Sequence, residues 1–176
     1  NTFIGAGSEK VIRSTDKGLN WITGREINVY DVAFGNSTFI GVGANGALFF
    51  SSSASPYNNG TEWLTLAAVV DDKLYGITYG NNRFFAVGAT SGQPTQNGTV
   101  IYSTDNGTNW NTRLSNASGG LYSIAFGNDK FVGVGYYTVI VSDKTGTAFI
   151  EKYTKRYFKD ISFGNGIFVA VGDDEN

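Results

Sequence analysis

The chain has 176 residues, 41% of them hydrophobic and only 16% charged, with a formal net charge of −2. It has 24 Gly and 2 Pro but no Cys, His or Met, which excludes zinc sites built on Cys or His, thiol nucleophiles and His general bases within this segment. There is no global basic field to hold nucleic acid or an anionic membrane, and no apolar run approaches the ~20 residues of a membrane helix.

Taken in chain order, the sequence repeats itself. It opens Asn1-Thr2-Phe3, without Met and in mid-repeat, and is therefore expected to be a piece of a longer protein. Phe3 to Gly7 is the first of five Phe-x-x-x-Gly steps; the others run Phe39 to Gly43, Phe84 to Gly88, Phe131 to Gly135 and Phe168 to Gly172, at Phe intervals of 36, 45, 47 and 37. The last four follow an aromatic-Gly-Asn step: Phe34-Gly35-Asn36, Tyr79-Gly80-Asn81, Phe126-Gly127-Asn128 and Phe163-Gly164-Asn165. Gly-Asn followed by Asn, Asp, Ser or Gly suits a tight hairpin, because these residues tolerate positive φ. Small Gly in the second strand of each unit is expected where twisted sheets pack closely.

Each unit parses into four short strands by alternation and by β-branched and aromatic enrichment. In the third unit these are Leu74–Tyr79, Arg83–Gly88, Thr99–Thr104 and Asn109–Leu114. The units divide the chain into a partial unit 1–29, full units 30–72, 73–120 and 121–157, and a partial unit 158–176. Four-stranded units of about 40–45 residues predict an all-β propeller of antiparallel blades, here part of a larger ring.

Two segments share one template: Ser14-Thr15-Asp16-Lys17-Gly18-Leu19-Asn20-Trp21 and Ser103-Thr104-Asp105-Asn106-Gly107-Thr108-Asn109-Trp110, both Ser-x-Asp-x-Gly-x-x-Trp. The second unit keeps Gly60-Thr61-Glu62-Trp63 behind an insertion, and the fourth keeps Gly146-Thr147-Ala148-Phe149 with Lys144 in the Asp position. These residues resemble the Asp-box, or BNR, repeats of sialidase-like β-propellers. The wider unit looks like repeats of bacterial surface proteins and phage tail or receptor-binding proteins and, more loosely, like photosystem II assembly-factor propellers.

The template also has a local physical reading. Asp16 and Asp105 accept amide hydrogen bonds of the turn, and Gly18 and Gly107 supply positive φ. Trp21 and Trp110 pack the strand onto the next blade, with Ser14 and Ser103 opening the turn. They are structural rather than catalytic.

The sialidase resemblance would imply an Arg cluster, a Tyr–Glu pair and an Asp acid/base. The chain has only Arg13, Arg25, Arg83, Arg113 and Arg156, none in an Arg-Ile-Pro-like motif, so no enzyme activity is expected here. Asp71-Asp72 and Asp173-Asp174-Glu175 lack the spacing of a calcium loop, and no metal or cofactor is expected. Sequons stand at Asn36, Asn59, Asn97, Asn106 and Asn116. The one basic-aromatic cluster is Lys152, Lys155, Arg156 and Lys159 with Tyr153, Tyr157 and Phe158, readable as an anion or glycan contact or as a solvated strand.

Alternating strand direction puts the stereotyped turns on one face and the irregular loops on the other, where binding residues tend to lie. The candidate ligand-binding residues are Asn116, Tyr136, Tyr137, Lys155, Arg156 and Tyr157. The expected function is a non-enzymatic binding or adhesion propeller on an extracellular, cell or virion surface, contacting a glycan or protein receptor. The alternatives are a fragment of a glycoside hydrolase whose catalytic residues lie elsewhere, and an architectural spacer.

Overall fold

A computed structural model describes residues 2–7, 9–24, 26–52, 63–90 and 96–173. Four of the features read from the sequence therefore lie outside the described residues: the Asn59 sequon, Gly60 to Glu62 of the second-unit remnant, Arg25, and the acidic pair Asp174 and Glu175.

Apart from a 3-10 turn at Ala44–Gly46, the regular elements among the described residues are all strands. The first sheet holds β1 (Phe3–Gly5), β2 (Ile12–Ser14) and β3 (Ile22–Thr23) in that order. The second holds β4 (Asp31–Gly35), β5 (Thr38–Val42), β6 (Leu48–Ser52) and β7 (Leu64–Leu66). The third holds β8 (Lys73–Gly80), β9 (Arg83–Ala89), β10 (Gly98–Ser103) and β11 (Asn111–Ala117), all antiparallel to their neighbours. Three of the third unit's four predicted strands match within a residue at each end. The last starts at Asn111 rather than Asn109, because Asn109 and Trp110 are held in the preceding turn.

The final sheet runs β12 (Leu121–Gly127), β13 (Lys130–Asp143), β14 (Phe149–Gly164) and β15 (Ile167–Asp173). Its two long strands each serve two roles. In β13, residues 130–135 pair with β12 and residues 138–142 with β14. A Cβ placed on Gly133 would lie 2.8 Å from Ile140 Cγ1, whereas a straight strand would separate the two by roughly 23 Å at ~3.3 Å per residue. The strand doubles back at Tyr136-Tyr137. In β14, residues 149–153 close the fourth unit and residues 157–164 open a fifth by pairing with β15.

Sequence chemistry dictates the hairpins between the first and second strands. Both turn residues have positive φ at Asn36-Ser37, Asn81-Asn82, Asn128-Asp129 and Asn165-Gly166, the two-residue turn whose twist matches the strands it joins. The core is divided accordingly. Four apolar clusters fill the interfaces between successive units, centred on Trp63 with Val29, on Trp110 with Phe84, on Phe85 with Phe131, and on Val134 with Ile161.

Two interlocks hold the units together. A Cβ on Gly35, Gly80 or Gly127 would fall 2.1, 2.1 or 2.2 Å from the ring root of Tyr79, Phe126 or Phe163. The aromatic of each aromatic-Gly-Asn step thus lies flat on the glycine of the preceding one. The second interlock is the Ser-x-Asp-x-Gly-x-x-Trp turn. Ser103 Oγ donates to Asp105 at 2.8 Å and accepts from Gly107 N at 2.8 Å. Asp105 also accepts from Asn109 N and Nδ2 at 2.9 and 2.7 Å, and Trp110 Nε1 donates to Gly107 O at 2.9 Å. The turn at Ser14 to Trp21 repeats these bonds, with Asp16 in the carboxylate role. The Asn20 amide, followed by its side chain and Ser14, pulls Asp16 down to about 2. Asp105 is lowered for the same reason by Asn109.

Three details differ from expectation. Trp110 packs on the preceding sheet, against Ile40 and Val42, rather than on the next one; a Cβ on Gly107 would likewise meet Ile40 Cδ1 at 2.4 Å. Trp21, in the first sheet of the described residues, is 45% exposed, against 8% for Trp110. In the fourth unit, Asp143 takes over for the missing Asp: its Oδ1 accepts from Thr145 N, Thr145 Oγ1 and Gly146 N at 3.0, 2.6 and 3.1 Å. This leaves Ser142 Oγ buried without a hydrogen bond among the described residues. Finally, four of the five glycines closing the Phe-x-x-x-Gly steps answer a backbone carbonyl at or just before the first strand they pair with. A Cβ on Gly43, Gly88, Gly135 or Gly172 would strike the carbonyl oxygen of Asn28, Lys73, Gly120 or Tyr157 at 1.9–2.4 Å.

Candidate functional site

That carbonyl contact marks a β-bulge on the first strand of each unit. Leu74 pairs with Gly88 and Gly76 with Val87, leaving Tyr75 as the extra residue. Tyr122 is extra between Leu121 and Ser123, and Lys159 between Phe158 and Asp160. In the second unit Tyr30 N donates to Val42 O, while Asp31 already pairs with Val42. A bulge re-aims the side chain it carries. Here it does so at one register on strands that are neighbours in space, β4 beside β8 and β8 beside β12. The result is a cavity of about 410 Å³ lined by Gly7, Val29, Tyr30, Tyr75, Tyr122, Tyr157 and Lys159.

The rings form a continuous array. Tyr30 stacks on Tyr75 (centroids 5.7 Å apart, planes 15° apart), Tyr75 meets Tyr122 at 5.3 Å, and Tyr122 meets Tyr157 edge-on at 5.4 Å. From there the array turns outward: Tyr157 to Tyr136 at 5.8 Å, Tyr136 to Tyr137 at 4.2 Å and Tyr137 to Tyr153 at 6.0 Å. Tyr122 also donates to Gln96 Oε1 at 2.7 Å. Burial among the other rings pushes the Tyr75 and Tyr122 hydroxyls above the ordinary tyrosine value, so both are neutral hydrogen-bonding groups, donors as well as acceptors.

Beside the rings stand a few charges. Lys159 Nζ lies 5.7 Å from the Tyr157 ring centre and 2.6 Å from Asp173 Oδ2. Asp31 follows Tyr30 and accepts from Val32 N and Ile77 N, each at 2.8 Å, tying the second unit to the third. Burial raises Asp31 to about 6 against these two bonds, with the Asp160 charge adding to the rise. Asp160 is itself held by Ser123 Oγ at 2.7 Å.

The structure brings three of the six candidate ligand residues, Tyr136, Tyr137 and Tyr157, into the array. Lys155 and Arg156 occupy the connection between Tyr153 and Tyr157 and are exposed. Asn116 has φ 66°, and its Oδ1 accepts from Asn97 Nδ2 at 3.3 Å, joining the end of β11 to the residue just before β10. The Ser-x-Asp-x-Gly-x-x-Trp turns lie on the opposite face, where Asn36 donates to Asn106 and Asn81 to Lys144 O. The arginines are dispersed: Arg83 donates to Thr145 O at 2.7 Å, and Arg113 lies 4.4 Å over the Tyr102 ring.

Sequence reasoning missed Tyr30, Tyr75 and Tyr122, and took Lys159 only as part of the basic-aromatic cluster. A signal was present, since each stands thirteen residues ahead of the glycine that closes its unit's Phe-x-x-x-Gly step, namely Gly43, Gly88, Gly135 and Gly172.

No protein-family model matches the chain, and no curated protein matches it. Solved structures do. YCF48 bound to D1 peptide superposes with a TM-score of 0.65 at 15% identity, covering 95% of this chain and 55% of that one. The chain is a β-propeller. The computationally designed protein Ika4 matches with a TM-score of 0.60 at 12% identity, over 87% of this chain and 90% of its own. PorZ, an essential bacterial surface component of the type-IX secretion system of Porphyromonas gingivalis, matches with a TM-score of 0.63 at 13% identity, over 92% of this chain and 20% of its own. Four-stranded blades are the shared element. The propeller described here spans about half the length of the YCF48 chain.

Proposed function

We propose that this propeller is a non-enzymatic binding module that holds a glycan receptor against its tyrosine face at an extracellular or virion surface. One observation carries the reading: bulges at the same register of β8 and β12, with the Tyr30 N to Val42 O bond at the equivalent place just before β4, set Tyr75, Tyr122 and Tyr30 around one cavity. Apolar ring faces with polar hydroxyl rims suit pyranose rings, which present the same two chemistries. The cavity's volume falls within the range of small-ligand sites. Irregular loops on a rigid scaffold are where binding residues concentrate.

The Ser-x-Asp-x-Gly-x-x-Trp turns support membership of the Asp-box class of propellers, and their position on the far face argues for a staple rather than a site. Further blades are proposed to complete the ring. Phe34 is 55% exposed and Gly164 has nothing within 4 Å, whereas every interior copy of that aromatic-on-glycine contact is engaged. A peptide receptor is the second reading, supported by the peptide bound to the structurally similar YCF48.

A glycan array probed with this chain and with its Tyr75→Ala/Tyr122→Ala variant tests the proposal, with a parallel peptide array. Binding to a glycan class that the variant loses, while a melting curve still shows a cooperatively folded protein, is the expected result. Empty glycan and peptide arrays, or binding that the variant retains, would reject the site.

A further inference from the structure

We propose that Tyr137 is a ligand-contacting residue of the tyrosine face, held there at a cost to the fold by a clamp centred on Glu151. This rests on the carbohydrate reading above, and adds to it one contact residue and the residue that positions it.

The backbone at Tyr137 is strained. Its φ is 55°, and it is the one aromatic among the described non-glycine residues with positive φ, most of which are Asn. A bulky side chain is disfavoured in that region. Strain of this kind survives only where the surroundings over-determine it, and it gathers at functional sites. The fold has a ready alternative. The corresponding connection of the second unit, between β5 and β6, puts Asn45 and Gly46 at its left-handed positions. Nothing in the turn therefore demands a tyrosine.

Packing does not demand one either. None of Tyr136, Tyr137 and Tyr153 belongs to the four apolar clusters that fill the interfaces between units. The Tyr137 ring meets Tyr136 and Tyr153 instead, and Tyr153 is 69% exposed. Tyr136 in turn meets Tyr157, which lines the cavity. The turn thus stands at the cavity's rim, and Tyr137 extends the site there by one ring.

Three contacts hold the turn. Tyr136 N donates to Gly120 O at 2.8 Å. A Cβ on Gly119 would fall 1.8 Å from Tyr136 O and 3.3 Å from Thr138 Cγ2, so the chain on both sides of Tyr137 presses on this glycine. Glu151 completes the clamp. Its Oε1 accepts from Ser118 N at 2.8 Å, from Ser118 Oγ, and from Thr138 Oγ1 at 2.9 Å. It ties the residue before Gly119 to the residue after Tyr137, across the junction of the third and fourth units. Thr138 is buried, which anchors the clamp in the sheet. Support of this kind sets a contact residue in place before a ligand arrives.

Melting curves and an array of neutral hexose and N-acetylhexosamine oligosaccharides test the two halves separately. Asn suits the backbone at position 137 and Ala does not, and neither supplies the ring. Tyr137→Asn is expected to melt at or above the parent, and about 2–4 °C above Tyr137→Ala. Both should need about ten-fold more protein to half-saturate the oligosaccharides that the parent binds. Glu151→Ala should weaken the same signals about five-fold in the parent but leave them unchanged in the Tyr137→Ala background, a coupling that a general loss of stability does not produce. A Tyr137→Asn protein that melts well below the parent would make the ring a packing residue and overturn the proposal. Undiminished binding by Tyr137→Asn would overturn the contact, and equal losses from Glu151→Ala in both backgrounds would overturn the clamp. A parent that binds none of the oligosaccharides would instead remove the carbohydrate reading, and the contact with it.

Discussion

Replacing Gly80 by Ala puts the aromatic-on-glycine interlock to a direct test. The added methyl would sit 2.1 Å from Phe126 Cγ and 2.3 and 2.6 Å from its two Cδ atoms, where carbon atoms rest about 3.5–4.0 Å apart. Turning the ring about its own axis does not help, because Cγ lies on that axis. The whole ring must retreat by about 1.5 Å, and Phe131, fully buried with its centroid 4.6 Å from that of Phe126, constrains the retreat. Overpacking of this kind costs about 1–3 kcal/mol, and complete loss of an aromatic's seat about 3–5 kcal/mol. The expected loss is therefore about 2–4 kcal/mol, a large share of the ~5–15 kcal/mol that holds an ordinary domain. Urea unfolding followed by far-UV circular dichroism measures it. Gly164→Ala is the matched control: the same position of the repeat, with nothing within 4 Å, and an expected change within about 0.5 kcal/mol. A Gly80→Ala protein as stable as the parent, or a Gly164→Ala protein as damaged as Gly80→Ala, would refute the interlock.

Other outcomes follow from the same geometry. Trp110→Ala should cost about 3–5 kcal/mol because the ring fills an interface between sheets, while Trp21→Ala, at an uncovered end, should cost less than about 1 kcal/mol; paired urea curves compare them. Asp105→Ala removes an acceptor for two Asn109 donors and the Ser103 hydroxyl, and unfolding curves at pH 7 should show a loss of about 1 kcal/mol. The Asp105 pKa is lowered in the fold, so its contribution is present above the usual carboxylate range and disappears as pH falls through the lowered value. Asp31 has the opposite sign. Its pKa is raised from 3.8 to about 6, so its contribution is complete below about pH 3.8 and is lost as pH rises through about 6. Asp31→Asn, which keeps a neutral acceptor beside Ile77 N, should flatten stability between pH 4 and pH 6 by on the order of 2–3 kcal/mol. An unchanged pH profile in that variant would show that Asp31 does not titrate as its burial requires.

Local chemistry was legible in the sequence wherever one residue type meets one backbone demand. Asn-Asn, Asn-Ser and Asn-Asp turns declared the first hairpins because few side chains accept two positive φ values in a row. The Ser-x-Asp-x-Gly-x-x-Trp turn satisfies its hydrogen bonds among its own eight residues, so it too could be read from spacing. The five repeats then implied four-stranded units, because such short strands bury an apolar face only by stacking.

What remained hidden depends on contacts between residues far apart in the chain. The glycines closing each Phe-x-x-x-Gly step were visible, but their cause, a carbonyl driven at them by a bulge some fifteen residues earlier, exists only once the strands pair. For the same reason Tyr30, Tyr75 and Tyr122 read as ordinary strand aromatics. Only the bulge turns them to one side, and only the curvature of successive sheets sets their rings within 6 Å of one another. By itself, the sequence determined the turns, the repeat and the blade; tertiary structure decided which side chains share a face and therefore where a ligand can bind, since that placement comes from strand register and sheet packing.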